Sequence, residues 1–155
     1  MKGLEEGAKA PAFSLPVADG TTVSLADFRG RNLVLYFYPR ADTPGCTIEA
    51  KEFTRLLPRF ERAGTAVLGV SADPIKAQQR FAAKHKLLVT LASDETHAML
   101  EAYEAWGKKS MFGVKYLGVF RKTVLIGKDG RIARIWPKVT VKGHAEEVLA
   151  AAQAL

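Results

Sequence analysis

Short continuous apolar runs and longer segments with helical spacing alternate along the chain. The runs at 33–38 and 66–70 hold almost no hydrogen-bonding side chains, which predicts strands buried on both faces of a sheet. Between them, Phe53, Leu56 and Phe60 are spaced i, i+3, i+7, which predicts a helix that packs one face on a core. This order of strand, helix and strand is typical of an α/β protein.

Proline and glycine residues predict where these first elements end. Pro58 lies inside the first helical pattern, so we expect a kink there, or a break with Pro58 opening a second short helix. Gly64 is the expected end of this segment. Asp73 and Pro74 predict the start of a further helix, with the aspartate as cap and the helix running over 74–85.

The second half of the chain repeats the alternation and then adds a hairpin. The pattern predicts a core strand at 87–92 and a short helix at 95–104. Strands at 119–126 and 131–136 are expected to join through the turn at 127–130. A closing helix is predicted from His144 to Leu155, with these residues facing inward: Val148, Ala151, Ala152 and Leu155.

The N-terminal part carries weaker signals. Residues 1–12 have no pattern and are expected to form a loose arm. The segments 13–15 and 22–24 flank Asp19 and Gly20, a turn pair, which predicts a short N-terminal hairpin. Together the elements predict one α/β domain over 1–155 with a mixed central sheet.

Length and composition agree with a single globular domain. The chain has 155 residues, 48% of them hydrophobic and 25% charged, which is ordinary for such a domain. No apolar run has the length of a signal peptide or a membrane span, so we expect a cytoplasmic location and no membrane partner. The chain has one cysteine, which excludes an internal disulfide and fits a reducing compartment.

Positive charge is concentrated in one segment. The net charge is +7, but residues 105–142 hold ten Lys or Arg against one acid, leaving −2 for the rest. A basic segment with interleaved aromatic residues can bind nucleic acid. The cations here alternate with apolar residues, which favours the solvated face of a strand pair, and we consider nucleic acid an unlikely partner.

The cysteine lies where a helix is expected to start. Thr43 is a suitable N-cap and Pro44 a suitable first helical residue, so Cys46 falls in the first turn near unpaired N–H groups. Lowering a thiol pKa from about 8.5 to about 6 takes roughly 3.4 kcal/mol. A helix N-terminus supplies about 0.3–1 kcal/mol and at best about 2, so a nearby cation must help. The alternative is an inert buried cysteine.

Pro39, Thr43 and Cys46 match the pattern Pro-x-x-x-Thr-x-x-Cys, which resembles the active-site signature of the peroxiredoxins. The surrounding Tyr-Phe-Tyr-Pro-x-x-x-Thr-Pro-Gly-Cys-Thr-x-Glu is similar to their bacterioferritin-comigratory (PrxQ) branch, and the similarity extends to 121–126. The resemblance implies a thioredoxin-like fold with flanking helices, and Cys46 as the nucleophile.

The resemblance also implies roles for four other residues. The Thr43 hydroxyl would contact the sulfur and the bound peroxide, and Pro39 would shield the thiolate from water. Arg121 would supply the missing cation, although it could be an outward strand residue like its neighbour Lys122. Glu49, one turn after the cysteine, would orient the arginine, and its alternative is a solvated acid on an exposed face.

The expected activity is a thiol-dependent peroxidase for hydrogen peroxide and organic hydroperoxides, with no metal or cofactor. Many relatives carry a second cysteine five places on, where this chain has Lys51, so it looks like a one-cysteine form. An outside thiol such as thioredoxin, glutaredoxin with glutathione, or a small thiol would then reduce the oxidised cysteine. The protein itself is expected to be a monomer or a homodimer. A redox-sensing or thiol-relay module with little turnover is the alternative. We expect all three histidines, His85, His97 and His144, on the surface.

Overall fold

A computed structural model describes residues 4–155 and places the core on a five-stranded sheet. The longest helix has 19 residues, and within residues 4–155 no helix combines the length and apolarity needed to cross a membrane. The elements, in chain order, are β1 (Ser14–Pro16), β2 (Thr22–Ser24), a 3-10 turn (Leu25–Phe28), β3 (Asn32–Phe37), α1 (Pro44–Arg62), β4 (Thr65–Ser71), α2 (Ile75–His85), β5 (Thr90–Ser93), α3 (Ala98–Ala102), β6 (Trp106–Met111), β7 (Val114–Val119), β8 (Lys122–Ile126), β9 (Ile132–Trp136) and α4 (His144–Gln153).

The central sheet is mixed, as the sequence predicted. Its strand order is β5-β4-β3-β8-β9, with β3 parallel to β4 and antiparallel to β8. All six residues of β3 are buried because both faces of the sheet are covered. Gly69 in β4 lies opposite Tyr36, and a Cβ there would come within 2.6 Å of the tyrosine ring.

The alternation of side chains along β3 divides the core into two. Val34 and Tyr36 face the layer formed by α1, α2 and α4. Leu33, Leu35 and Phe37 face the layer that contains α3 and the N-terminal hairpin of β1 and β2. The carboxyl end of β3 therefore lies between two packed layers, and the cysteine loop begins there.

Helix α1 continues through Pro58, so of the two expected alternatives the break is wrong and the kink stays a prediction. Proline removes one helical hydrogen bond, but Phe53, Leu56 and Phe60 on either side of it are buried. Their packing holds both halves of the helix on the same core. Gly64 follows the last turn with a φ of +65°, as predicted for the end of this segment.

Two helix starts differ from the prediction, and only one of the two predicted caps still bonds to its helix. Helix α2 begins at Ile75, with Pro74 as its N-cap residue, and the Asp73 carboxylate instead binds loop and strand atoms. Helix α3 begins at Ala98 after His97, although Asp94 still accepts a hydrogen bond from the Leu100 N–H. The strand predicted at 87–92 is the shorter β5.

The strand predicted at 119–126 is in fact the end of one strand and the whole of another. Val119 closes β7, Phe120 and Arg121 form a link, and β8 begins at Lys122. The preceding hairpin of β6 and β7 was missed, and it forms a sheet of its own. Lys122 is buried rather than outward, with its Nζ 3.5 Å from the Glu104 carbonyl oxygen.

The chain ends also differ from expectation. Residues 1–3 of the predicted loose arm lie outside the described residues, but residues 7–10 run along β9, where Gly7 donates to the Ile132 carbonyl and Ile132 donates to that of Ala8. In α4, Val148 and Ala152 are buried and Ala151 half-buried as predicted. Leu155 lies beyond the helix and is exposed.

Candidate active site

Cys46 lies in the first turn of α1, directly after the loop that leaves β3. Thr43 is the N-cap residue with an extended backbone, and Pro44 is the first helical residue, as predicted. The Cys46 side chain is buried, with 1% of its surface exposed. The sulfur therefore lies at the positive end of a 19-residue helix and is largely shielded from water.

The Thr43 hydroxyl does not cap the helix. It donates a 2.7 Å hydrogen bond to the Arg40 carbonyl oxygen, and it makes no side-chain capping bond. The Thr43 carbonyl accepts from both the backbone N–H and the hydroxyl of Thr47. Pro39, at the start of the loop, is half-buried.

Two carboxylates fix the loop that precedes the cysteine. The Ala41 N–H donates to Asp73 Oδ2 at 2.7 Å, and the Ser71 hydroxyl donates to the same oxygen. Asp42, with a left-handed φ of +62°, pairs with Lys84 at the end of α2. The loop that leads to the cysteine is thus tied to β4 and to α2.

Strand register brings Arg121 to the cysteine. In the antiparallel pairing of β3 with β8, Phe37 lies opposite Lys122. Arg121 precedes Lys122, so it lies level with Tyr38, where β3 ends and the loop begins. Residues 75 positions apart are therefore neighbours in space.

The Arg121 guanidinium bridges the sulfur and a buried acid. Its Nη2 is 3.4 Å from Cys46 Sγ, and its Nη1 is 2.7 Å from Glu49 Oε1. Gly45 gives it room, because a Cβ there would lie 3.1 Å from Nη2. Glu49 is one turn after the cysteine on the same helix face, which explains how one guanidinium can contact both residues.

Burial dominates the electrostatics of this group. It raises the pKa of Glu49 to about 7, and the Arg121 charge offsets only part of that rise. Within residues 4–155, Glu49 Oε2 has no hydrogen-bond partner. Burial acts to lower the pKa of Arg121, but Glu49 and Cys46 outweigh it and raise that pKa, so the guanidinium stays charged.

Lys109 is a second cation near the site, and the sequence analysis did not identify it. Its Nζ donates a 2.9 Å hydrogen bond to the Val119 carbonyl oxygen, two residues before Arg121. Burial and the Arg121 charge lower the pKa of Lys109, while Cys46 acts to raise it. No sequence signal separates Lys109 from Lys108, because only the strand register places one of them on the inner face.

The histidines do not form a metal site. His144 is buried, contrary to the prediction, with Nε2 2.8 Å from the Thr123 hydroxyl, and burial lowers its pKa to about 4. His85 pairs with Asp42, and His97 stacks on Trp106. In the described part of the chain, no group of three or more His, Cys, Asp or Glu side chains could hold a metal ion.

Fold and site together define a thioredoxin-fold protein with a single cysteine at a helix start, paired with an arginine. The profile of the AhpC/TSA family matches residues 7–135. A putative peroxiredoxin bcp of Coxiella burnetii is 46% identical over 146 residues, covering 94% of this chain and 97% of that protein. Peroxiredoxin Bcp of Escherichia coli is 42% identical over 149 residues, covering 96% of each.

Solved structures give the same result. The bacterioferritin comigratory protein of Xanthomonas campestris, studied for alkyl peroxide reduction, has a TM-score of 0.90 at 39% identity, covering 97% of this chain and 98% of that one. A PrxQ variant of Xylella fastidiosa has a TM-score of 0.93 at 37% identity, covering 99% and 98%. The chain belongs to the AhpC/TSA family and is a peroxiredoxin similar to the Bcp, or PrxQ, proteins.

Proposed function

We propose that this protein reduces hydrogen peroxide and organic hydroperoxides, with Cys46 as the nucleophile. Its thiolate attacks the terminal peroxide oxygen, the O–O bond breaks, and a sulfur–oxygen bond forms. The leaving oxygen takes up a proton and departs as water or an alcohol, while the cysteine becomes a sulfenic acid. The sulfur loses two electrons and the peroxide gains them.

The observation that carries this proposal is the 3.4 Å contact between Arg121 Nη2 and Cys46 Sγ. A charged hydrogen bond of this kind favours the thiolate over the thiol. During attack, negative charge spreads to the peroxide oxygens, and the same guanidinium can stabilise it together with the Cys46 backbone N–H.

The other predicted residues support that pair. Glu49 acts as a positioning residue, because its carboxylate holds Nη1 while Nη2 faces the sulfur. The Thr43 hydroxyl, whose hydrogen goes to the Arg40 carbonyl, can use its lone pairs toward a protonated peroxide oxygen. Pro39, half-buried at the start of the loop, limits access of water to the sulfur in this proposal.

The reductant comes from outside the chain. Because Cys46 is the only cysteine, no second sulfur of this chain can form a disulfide with the sulfenic acid. An external thiol must attack it and release water, and a second thiol must then free Cys46. Thioredoxin, glutaredoxin with glutathione, and a small thiol all meet this need. Two solved structures of the Xanthomonas campestris protein are variants with one or the other of two cysteines replaced by serine.

The proposed setting is the cytoplasm, with the protein acting as a monomer or a homodimer. A buried, reduced cysteine is stable in a compartment with a thiol pool, and that pool also supplies the reductant.

A steady-state assay with hydrogen peroxide tests the function. We expect turnover with at least one donor among thioredoxin, glutathione with glutaredoxin, and dithiothreitol. Cys46→Ser should abolish turnover while the fold persists by circular dichroism. Turnover that survived this substitution would show that another group is the nucleophile. Fast oxidation of Cys46 with slow turnover for every donor would instead favour a redox sensor.

A further inference from the structure

The hairpin of β6 and β7 exposes most of the large apolar surface of the molecule. Residues 4–155 contain eight exposed large apolar side chains, and five lie within 111–117 of this hairpin. They are Met111 at 56% exposure, Phe112 at 98%, Val114 at 64%, Tyr116 at 40% and Leu117 at 60%. Contiguous exposed apolar surface of this kind marks an interaction site.

The apolar residues lie at the tip and on both faces of the hairpin. Met111 and Val114 are cross-strand partners, so they share one face, and Phe112 forms the turn between them. Leu117 pairs with Lys108 on the opposite face. A protein partner would cover one face of such a two-stranded ribbon, whereas a fluid apolar phase covers both.

The hairpin is also basic. Residues 106–119 contain three lysines and no acid. Lys108 and Lys115 are exposed and belong to the same face as Leu117. Like charges would repel if two copies met at this surface, so charge argues against a second copy of the chain and for an anionic partner.

We propose, in place of the expectation from the sequence that the protein has no membrane partner, that the tip of this hairpin, residues 111–117, docks on the surface of an anionic phospholipid bilayer. With Phe112 leading, a strand rise of about 3.3 Å per residue places Lys115 roughly 7–10 Å behind the tip. Interfacial apolar groups are buried to about 5–10 Å, so Lys115 meets the anionic headgroups when Met111, Phe112 and Val114 reach the acyl boundary. Tyr116, apolar with a polar end, suits the same level.

Docking by this hairpin would bring the active site toward lipid. The hairpin base leads through Phe120 into Arg121, and Lys109 ties the two strands together there through the Val119 carbonyl. Ile48, which is 54% exposed, lies two residues after the cysteine. If the proposed peroxidase function holds, docking at this hairpin keeps the active site near the membrane surface.

Vesicle flotation with the full chain tests the proposal. The probes are vesicles of phosphatidylcholine alone and of an equimolar mixture with phosphatidylglycerol, each at about 0.1 M and about 0.5 M salt. The variant is Phe112→Ser, and the matched control is Leu88→Ser, which removes a 72% exposed leucine outside the hairpin. Consumption of hydrogen peroxide with dithiothreitol is measured in parallel.

We expect wild type and Leu88→Ser to bind the anionic vesicles at low salt and to lose binding at high salt. Phe112→Ser should bind the anionic vesicles at least about tenfold more weakly than wild type. It should keep its hydrogen peroxide turnover. Absence of vesicle binding by wild type, or equal losses in both variants, would overturn the proposal. The proposal would also be overturned if Phe112→Ser changed only self-association or only the KM for a protein reductant. Vesicle binding without any peroxidase turnover would leave the docking surface standing and refute the proposed function.

Discussion

Cys46 and Arg121 act as one electrostatic unit. A helix N-terminus contributes about 0.3–1 kcal/mol to an adjacent anion, and a charged hydrogen bond about 1.5–3 kcal/mol. In the proposed mechanism, the guanidinium at 3.4 Å from the sulfur therefore contributes more than the helix N-terminus does.

Arg121→Gln should therefore slow the reaction with peroxide about ten- to hundredfold, which corresponds to the loss of one charged hydrogen bond. The measurement is the second-order rate constant for loss of the Cys46 thiol with hydrogen peroxide. Arg134→Gln is the matched control, because Arg134 pairs with Glu147 on the surface. An equal loss in both variants would point to a general change of charge.

Glu49 makes stability depend on pH. Its folded-state pKa of about 7 lies above its usual value of 4.5, so the folded chain holds this proton more tightly than the unfolded chain. The free energy of unfolding should fall as pH rises from about 4.5 to about 7. Glu49→Gln has no carboxyl to titrate and should not show this loss. In urea unfolding, the free energy of unfolding of the variant relative to wild type should rise by on the order of 1–3 kcal/mol between pH 5 and pH 8.

Glu52→Gln is the control for this experiment. Glu52 lies on the same helix but pairs with Arg55 at the surface. Its difference from wild type should stay nearly constant over the same pH range. If Glu49→Gln also gave a constant difference, the carboxyl would be ionised throughout and burial would not control it.

Part of this site could be read from the sequence and part could not. The Thr43, Pro44 and Cys46 spacing shows that a thiol begins a helix, because capping chemistry is local. Arg121 was found only through the family resemblance, since no spacing rule joins residues 75 apart. The β3 and β8 register is what makes them neighbours, and register depends on the whole sheet.

At the scale of elements, prediction worked where a pattern was long and unbroken. Strand β3 and helix α1 were predicted because six consecutive apolar residues and a repeated helical spacing admit few other structures. Helix α1 survives Pro58 because the packing of Phe53 and Phe60 outweighs one lost hydrogen bond. Local propensity could not supply that information.

The missed hairpin shows the opposite case. Residues 106–119 contain lysines and glycines among apolar residues, and five large apolar side chains there are exposed. A hydrophobic pattern predicts a strand when its apolar residues face a core, so strands whose apolar residues face outward are not predicted from it. For the same reason, the strand predicted at 119–126 joined Val119, the last residue of β7, to β8 through Phe120 and Arg121.

His144 ties α4 to the sheet and should make the fold sensitive to acid. Its folded-state pKa of about 4 lies below the usual 6.5, so the unfolded chain takes up this proton first as pH falls. Stability should be lost between about pH 6.5 and pH 4. The free energy of unfolding of His144→Gln should depend less on pH. Between pH 7 and pH 5, wild type should lose on the order of 1–2 kcal/mol more of its free energy of unfolding than the variant does.

His97→Gln is the control for the histidine prediction, because His97 stacks on Trp106 away from α4. Its stability should follow wild type from pH 7 to pH 5 in chemical unfolding. If His144→Gln lost as much stability as wild type between pH 7 and pH 5, His144 would not be the group that makes the fold sensitive to acid. Glu49 acts in the opposite direction over part of this range, so the difference between variant and wild type is the quantity to compare.

At the scale of the whole molecule, the sulfur is packed into one of the two layers that cover the central sheet. Val34 and Tyr36 join the layer that holds Cys46, and Leu35 and Phe37 join the other. Cys46 lies in the first turn of α1 and is 1% exposed, so its sulfur is part of the packed core. No second cysteine can reach it within the chain, so its fate depends on what enters from solvent.

Peroxide should therefore oxidise Cys46 in two steps, first to a sulfenic acid and then to a sulfinic acid. With one equivalent of peroxide and no thiol, mass spectrometry should show one added oxygen and labelling by dimedone. With excess peroxide, a second oxygen should appear and dithiothreitol should no longer restore activity, because sulfinic acid is not reduced by thiols. Cys46→Ser should gain neither oxygen at this position. A protein dimer on a non-reducing gel, in place of the second oxygen, would show instead that two copies protect each other by pairing their Cys46 sulfurs.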